Sequence, residues 1–133
     1  MTPQPTNGEL KILRILWAQG SSTVRQINEI LNQEKEVGYT TTLKLMQIMH
    51  DKGQLSRTKS GKTHIYTALL SEVDTQKHLL DKLKDSLFQG SALKLVMQAL
   101  GDKKTSADEL KQIRDYLDQL SDETHNDLPT NNE

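Results

Sequence analysis

Apolar residues recur at helical spacing in the first third of the chain, then at alternate positions, then at helical spacing again. Thr6-Asn7-Gly8-Glu9 opens the first stretch with a capping box, Thr6 reaching forward and Glu9 reaching back. Leu10, Ile12, Leu13, Ile15, Leu16 and Trp17 follow, too apolar a run for a surface helix, and Gly20 ends it. Thr23-Val24-Arg25-Gln26 is a second capping box, with Val24, Ile27, Ile30 and Leu31 at helical spacing. The polar run 32–36 closes that helix. A third helix is expected from Tyr39 to Lys52, with Gly38 at its N-cap and Gly53 as its stop.

At Gln54 the period changes. Leu55, Arg57 and Lys59 share one face of a short strand, and Ser56 and Thr58 the other. Thr63, Ile65 and Thr67 then alternate with His64, Tyr66 and Ala68. Ser60-Gly61 reads as a two-residue turn between two strands, hence a hairpin. Beyond it, Ser71-Glu72-Val73-Asp74 caps a helix striped by Val73, Leu80, Leu83 and Leu87, with Gly90 as its end. Ser91 caps a short helix bearing Leu95, Val96, Ala99 and Leu100, ended by Gly101. Ser106-Ala107-Asp108-Glu109 is a further capping box, followed by Leu110, Ile113, Leu117 and Leu120. The polar, acidic residues 121–133 are expected to be a disordered tail.

Helix, capped helix, helix and two-stranded hairpin is the order of a winged helix-turn-helix. The expected fold class is therefore mainly α: a winged helix-turn-helix N-terminal domain at 6–70, then a helical domain at 71–120. In this motif the second helix of the pair lies in the DNA major groove, a role that falls to residues 39–52. On a helical wheel Thr42, Leu45, Met46 and Met49 face the core. Opposite them lie Thr40, Lys44, Gln47 and Asp51. That outer face carries a hydroxyl, an ammonium and a carboxamide, groups that read base edges or hold phosphates. The hairpin adds Arg57, Lys59, Lys62 and His64. Arg25 stands at a helix start, where backbone N–H groups also suit a phosphate.

Composition narrows the function. A chain of 133 residues is one domain, or one small domain with an appendage. Only 34% of it is apolar and it holds one Trp, one Phe and three Tyr, a thin core that argues against a large enzyme cleft. Cys is absent, which excludes disulfides, thiol catalysis and cysteine-ligated metal, and fits a reducing cytosol. No apolar run approaches 18 residues, so no membrane insertion is expected. MTPQPTNGEL has neither the basic region nor the apolar stretch of a signal peptide, so the expected location is cytoplasmic. His50, His64, His78 and His125 form no metal-binding spacing, and no phosphate-cradling glycine motif occurs. We therefore expect no enzyme, no cofactor and no metal.

The net charge of −1 hides an asymmetry: residues 1–70 carry 9 Lys+Arg against 5 Asp+Glu, and residues 71–133 carry 8 against 13. A basic binding module joined to an element with another job fits that division.

Several pieces together resemble the penicillinase-repressor family of bacterial transcriptional repressors. They are Glu9-Leu10 with Ile15-Leu16-Trp17, then Thr23-Val24-Arg25, Tyr39-Thr40-Thr41, Asp51-Lys52-Gly53 and the hairpin ending in Tyr66. They cover roughly residues 9–71. The resemblance implies a winged-helix DNA-binding domain, and Tyr39, Thr40, Thr41, Lys44 and Gln47 are the DNA-binding residues expected on its second helix of the pair. It also implies a helical dimerisation domain, palindromic operators and, in some members, a membrane sensor protease that triggers cleavage of the second domain. This chain departs from the pattern in three places. The copper-responsive branch needs a cysteine-rich tail, which is absent here. An Asn-Phe cleavage pair would fall near Gln98-Ala99, and neither residue matches. Ile48 stands where many relatives place an Arg.

The leucine stripes of the second half are too narrow to close a core alone. Leu80, Leu83, Leu87, Leu110, Ile113, Leu117 and Leu120 are the expected dimerisation residues, the alternative being that these helices fold back on the first domain. By the same resemblance, any proteolytic release would act near 96–101, where Val96, Ala99 and Leu100 read as buried. Two functions follow. One is a homodimeric repressor on double-stranded DNA. The other is a winged-helix module that turns the same basic face to an acidic protein partner.

Overall fold

The three N-terminal helices form where capping and periodicity place them. In a computed structural model, which describes residues 4–102 and 104–127, α1 spans Asn7–Gln19, β1 Ser22–Thr23, α2 Val24–Glu34 and α3 Tyr39–Asp51. The strands β2 (Leu55–Ser60) and β3 (Thr63–Ala68) follow, then α4 (Glu72–Leu87), α5 (Ala92–Leu100) and α6 (Ala107–Asp127). Both N-terminal capping boxes are closed in both directions, Thr6 with Glu9 and Thr23 with Gln26. Gly38 is the N-cap of α3 and offers no side-chain cap. Gly20 ends α1 at φ +86°, a conformation that costs glycine little.

The sheet is antiparallel with strand order β1-β3-β2. The long pair runs from Leu55 opposite Ala68 to Ser60 opposite Thr63. The loop between them is therefore Gly61-Lys62, one residue later than the Ser60-Gly61 turn the sequence suggests. Gly61, at φ +64°, takes the first loop position, where type II′ hairpin turns place glycine. β1 is too short to carry a period and was not expected. Ser22 pairs with Tyr66 and Thr23 with Ile65.

The core lies among α1, α2, α3 and the base of the hairpin. Ile12, Leu13, Leu16, Val24, Ile27, Met46, Met49, Leu55 and Tyr66 are buried. Trp17 donates its indole N–H to Leu70 O at 2.8 Å and so ties α1 to the chain leaving β3.

The chain divides into two compact units, Met1–Leu83 and Lys84–Glu133. The division falls inside α4, not at residue 71. Thr75, buried in the first turns of α4, belongs with the first unit. In the second unit no described residue is fully buried. Leu87, Leu110, Leu117 and Leu120 are exposed there, as are Leu80 and Leu83 just before it, and Ile113 is half-buried. Val96 and Ala99, read from sequence as buried, are exposed, and Leu100 is half-buried. With no described residue fully buried within the unit, its apolar helix faces remain largely open to solvent. The helix α6 continues to Asp127, through the start of the expected tail at 121–133, since no glycine or proline interrupts the chain before Pro129. Residues 128–133 lie outside the described residues.

Candidate nucleic-acid interface

Burial along α3 follows the wheel. Thr42, Met46 and Met49 point inward and are buried, with Leu45 half-buried. Tyr39, Thr40, Thr41, Lys44 and Gln47 are exposed. Because Gly38 caps without a side chain, the first-turn N–H groups of α3 keep their hydrogen-bonding capacity for an outside acceptor. Ile48 is exposed on the same helix.

Two other elements add cations. Arg25 is exposed in the first turn of α2. On the hairpin Arg57 stands opposite Tyr66 and Lys59 opposite His64. Cross-strand partners share a face, so the face that buries Leu55 and Tyr66 at its base carries Arg57, Lys59 and His64 further out. The His64 ring meets the Tyr66 ring edge-on with centroids 6.4 Å apart. Among the described residues, Arg25, Lys44, Arg57, Lys59 and Lys62 form no ion pair with a carboxylate. Their charge is thus available to a ligand.

A groove of about 340 Å³ joins these pieces. Arg25, Tyr39, Lys62 and His64 line it with Thr23, Leu43 and Tyr66. The start of α2, the start of α3 and the wing thus meet around one concave surface. Thr40, Thr41, Lys44 and Gln47 occupy the exposed side of α3 and do not line the groove, nor do Arg57 and Lys59.

Two polar networks hold α3, and sequence reasoning missed both. At its C-terminal end Lys52 Nζ donates to Glu9 Oε2 at 2.7 Å. Glu9 Oε1 also accepts from Thr6 N at 2.9 Å and from Gln54 Nε2 at 3.3 Å. Burial alone would raise the Glu9 pKa. The hydrogen bonds from Lys52, Thr6 and Gln54 and the Lys52 charge outweigh it and hold the carboxyl below its ordinary value. At the N-terminal end Asn28 Nδ2 donates to Thr42 Oγ1 at 2.8 Å and to Val37 O at 3.1 Å. Asn32 grips Val37 from both sides, accepting from its N–H at 3.0 Å and donating to its O at 2.9 Å. Only the Thr6–Glu9 part had a sequence signal, its capping spacing.

Comparison with known proteins places the chain. The family model of the penicillinase repressor matches residues 5–119. The methicillin resistance regulatory protein MecI of Staphylococcus aureus (strain N315) is 22% identical over 116 residues, covering 87% of this chain and 94% of MecI. An uncharacterized 16.5 kDa protein of Latilactobacillus sakei, from the ptsI 3′ region, is 26% identical over 117 residues, covering 87% and 80%. Among solved structures, the solution structure of the DNA-binding domain of the repressor BlaI is similar in fold. Its TM-score is 0.51 and its identity 23%, over 56% of this chain and 90% of that one.

Proposed function

The chain belongs to the penicillinase repressor family, a family of regulators and not of enzymes, and from that premise we propose that it is a sequence-specific DNA-binding repressor acting as a homodimer on a palindromic operator in the cytoplasm. The observation that carries this reading is the unpaired basic and polar surface built by α2, α3 and the wing. Thr40, Lys44 and Gln47 of α3 reach base edges in the major groove. Arg25, Arg57, Lys59, Lys62, His64 and the open N-terminus of α3 hold phosphates on either side. Tyr39 lines the groove where the DNA backbone passes, and Thr41 meets the backbone from the exposed first turn of α3.

The dimer reading rests on the second unit. Leu87 is 60% exposed and Leu117 54%, which a chain gains little by leaving in water. A second copy supplies the missing cover, and two-fold closure is the commonest oligomeric solution. The same contact covers Val96 and Ala99. Release by copper or thiol oxidation has no ligand here, because the chain lacks Cys. Where a membrane sensor protease operates, cutting near 96–101 detaches α6 and removes its share of the dimer contact.

The test is selection of bound duplexes from a random pool by the full-length protein. Enrichment of a defined sequence supports the reading. A pool that stays random, with binding to an acidic protein in its place, refutes it.

A further inference from the structure

We propose that Asn28 is a positioning residue for DNA recognition, acting through Thr42 and Val37 to set the pose of α3 against the major groove. The inference rests on the DNA-binding reading above and names a residue that itself does not touch DNA.

Asn28 lies half-buried on α2. Its amide has two donors, and both are used: one on the buried Thr42 hydroxyl of α3, one on the carbonyl of Val37 in the link between the helices. Asn32, one turn on, donates to Asn28 O at 2.8 Å. It also holds Val37 through both its N–H and its C=O. So two side chains of α2 fasten the link and the second turn of α3. None of these groups lies on the outer face of α3.

Apolar contact between Ile27, Met46 and Met49 is non-directional and tolerates small rotations of one helix against another. A hydrogen bond does not, since it weakens steeply away from its preferred angle. The Asn28–Thr42 bond therefore acts as a spacer of fixed length and direction. Base reading by Lys44 and Gln47 depends on that direction, because edge contacts have narrow geometry. Phosphate contact by long, flexible Arg57 and Lys62 does not. Loss of the spacer should lower discrimination between sequences and leave general affinity intact.

The experiment uses the full-length protein, a duplex selected from a random pool, and a scrambled duplex of equal length. Asn28→Ala removes both donors. Thr42→Val removes the acceptor and keeps the shape. Thr42→Ser keeps the hydroxyl. Circular dichroism checks the fold, and if Asn28→Ala fails to fold, Thr42→Val carries the test. The expected result is a loss of about tenfold or more in the ratio of selected to scrambled affinity for Asn28→Ala and Thr42→Val, the scale of one base contact. Binding to the scrambled duplex and its salt slope should not change, and Thr42→Ser should match the wild type. An unchanged ratio overturns the inference while DNA binding stands. Equal loss on both duplexes also overturns it, since that is what a merely structural role produces. If the wild type itself shows no preference, the DNA-binding reading fails and the inference falls with it.

Discussion

Glu9 and Lys52 are 43 positions apart and meet at 2.7 Å, with very different exposure. The Glu9 side chain is 2% exposed and that of Lys52 31%. Removing Lys52 strands a buried carboxylate, whereas removing Glu9 leaves an ammonium that can reach water. Thr6 N and Gln54 Nε2 still serve the carboxylate, so Lys52→Met should cost about 1.5–3 kcal/mol and Glu9→Gln about 1 kcal/mol, both read by urea unfolding. The Glu9 carboxyl titrates below its ordinary value in the folded protein. Its contribution to stability is complete above the ordinary carboxylate value of the unfolded chain. It is lost as pH falls through the lower, folded value. Unfolding free energy should drop across that acid window in the wild type and be flatter there in Glu9→Gln. A second residue-scale outcome concerns phosphates. Replacing Arg57 and Lys62 together by Ala should lower the slope of log affinity against log salt by roughly 0.9 for each phosphate no longer neutralised. An unchanged slope would show that these cations face solvent in the complex. At this scale the sequence is legible where partners lie within one turn, as in Thr6–Glu9 and Thr23–Gln26. It is silent on Glu9–Lys52 and Asn28–Thr42, since pairs joined only by the fold leave no spacing to read.

The outer and inner faces of α3 could be read from periodicity because burial and wheel position are the same fact seen twice. Hairpin strands were equally legible through their alternation, and the turn slipped by one because Ser60-Gly61 and Gly61-Lys62 both offer glycine. Gly61 at φ +64° decides it. Gly61→Val should cost about 1–2 kcal/mol in stability, since a branched side chain is strained there. DNA affinity should fall with it as the wing carrying Lys62 loosens. A matching change at Gly38, where φ is −72° and the space is open, brings no such backbone strain and should cost only about 0.5–1 kcal/mol, because valine is a poorer N-cap than glycine. The strand β1 escaped the reading because two residues cannot display a period. The groove among α2, α3 and the wing escaped it too, since it exists only once three elements are placed.

Across the whole molecule, the charge division and the lack of any fully buried residue among those described in the second unit point the same way. The first unit holds all nine residues of the apolar core, and the second holds helices with exposed stripes. The chain cut after Leu83 should stay folded and monomeric. Its affinity for the selected duplex should fall by about a hundredfold or more, because two half-sites are no longer linked through one dimer. Sedimentation of the full chain against the cut chain checks this. The most direct measurement is the composition of the complex itself: native mass spectrometry of the full-length protein on duplexes recovered from the random pool. The account predicts two chains per duplex and two inverted half-sites whose centres lie about one helical turn, 10–10.5 base pairs, or a multiple of it apart. One chain per duplex, or a recovered sequence with no two-fold symmetry, would contradict it.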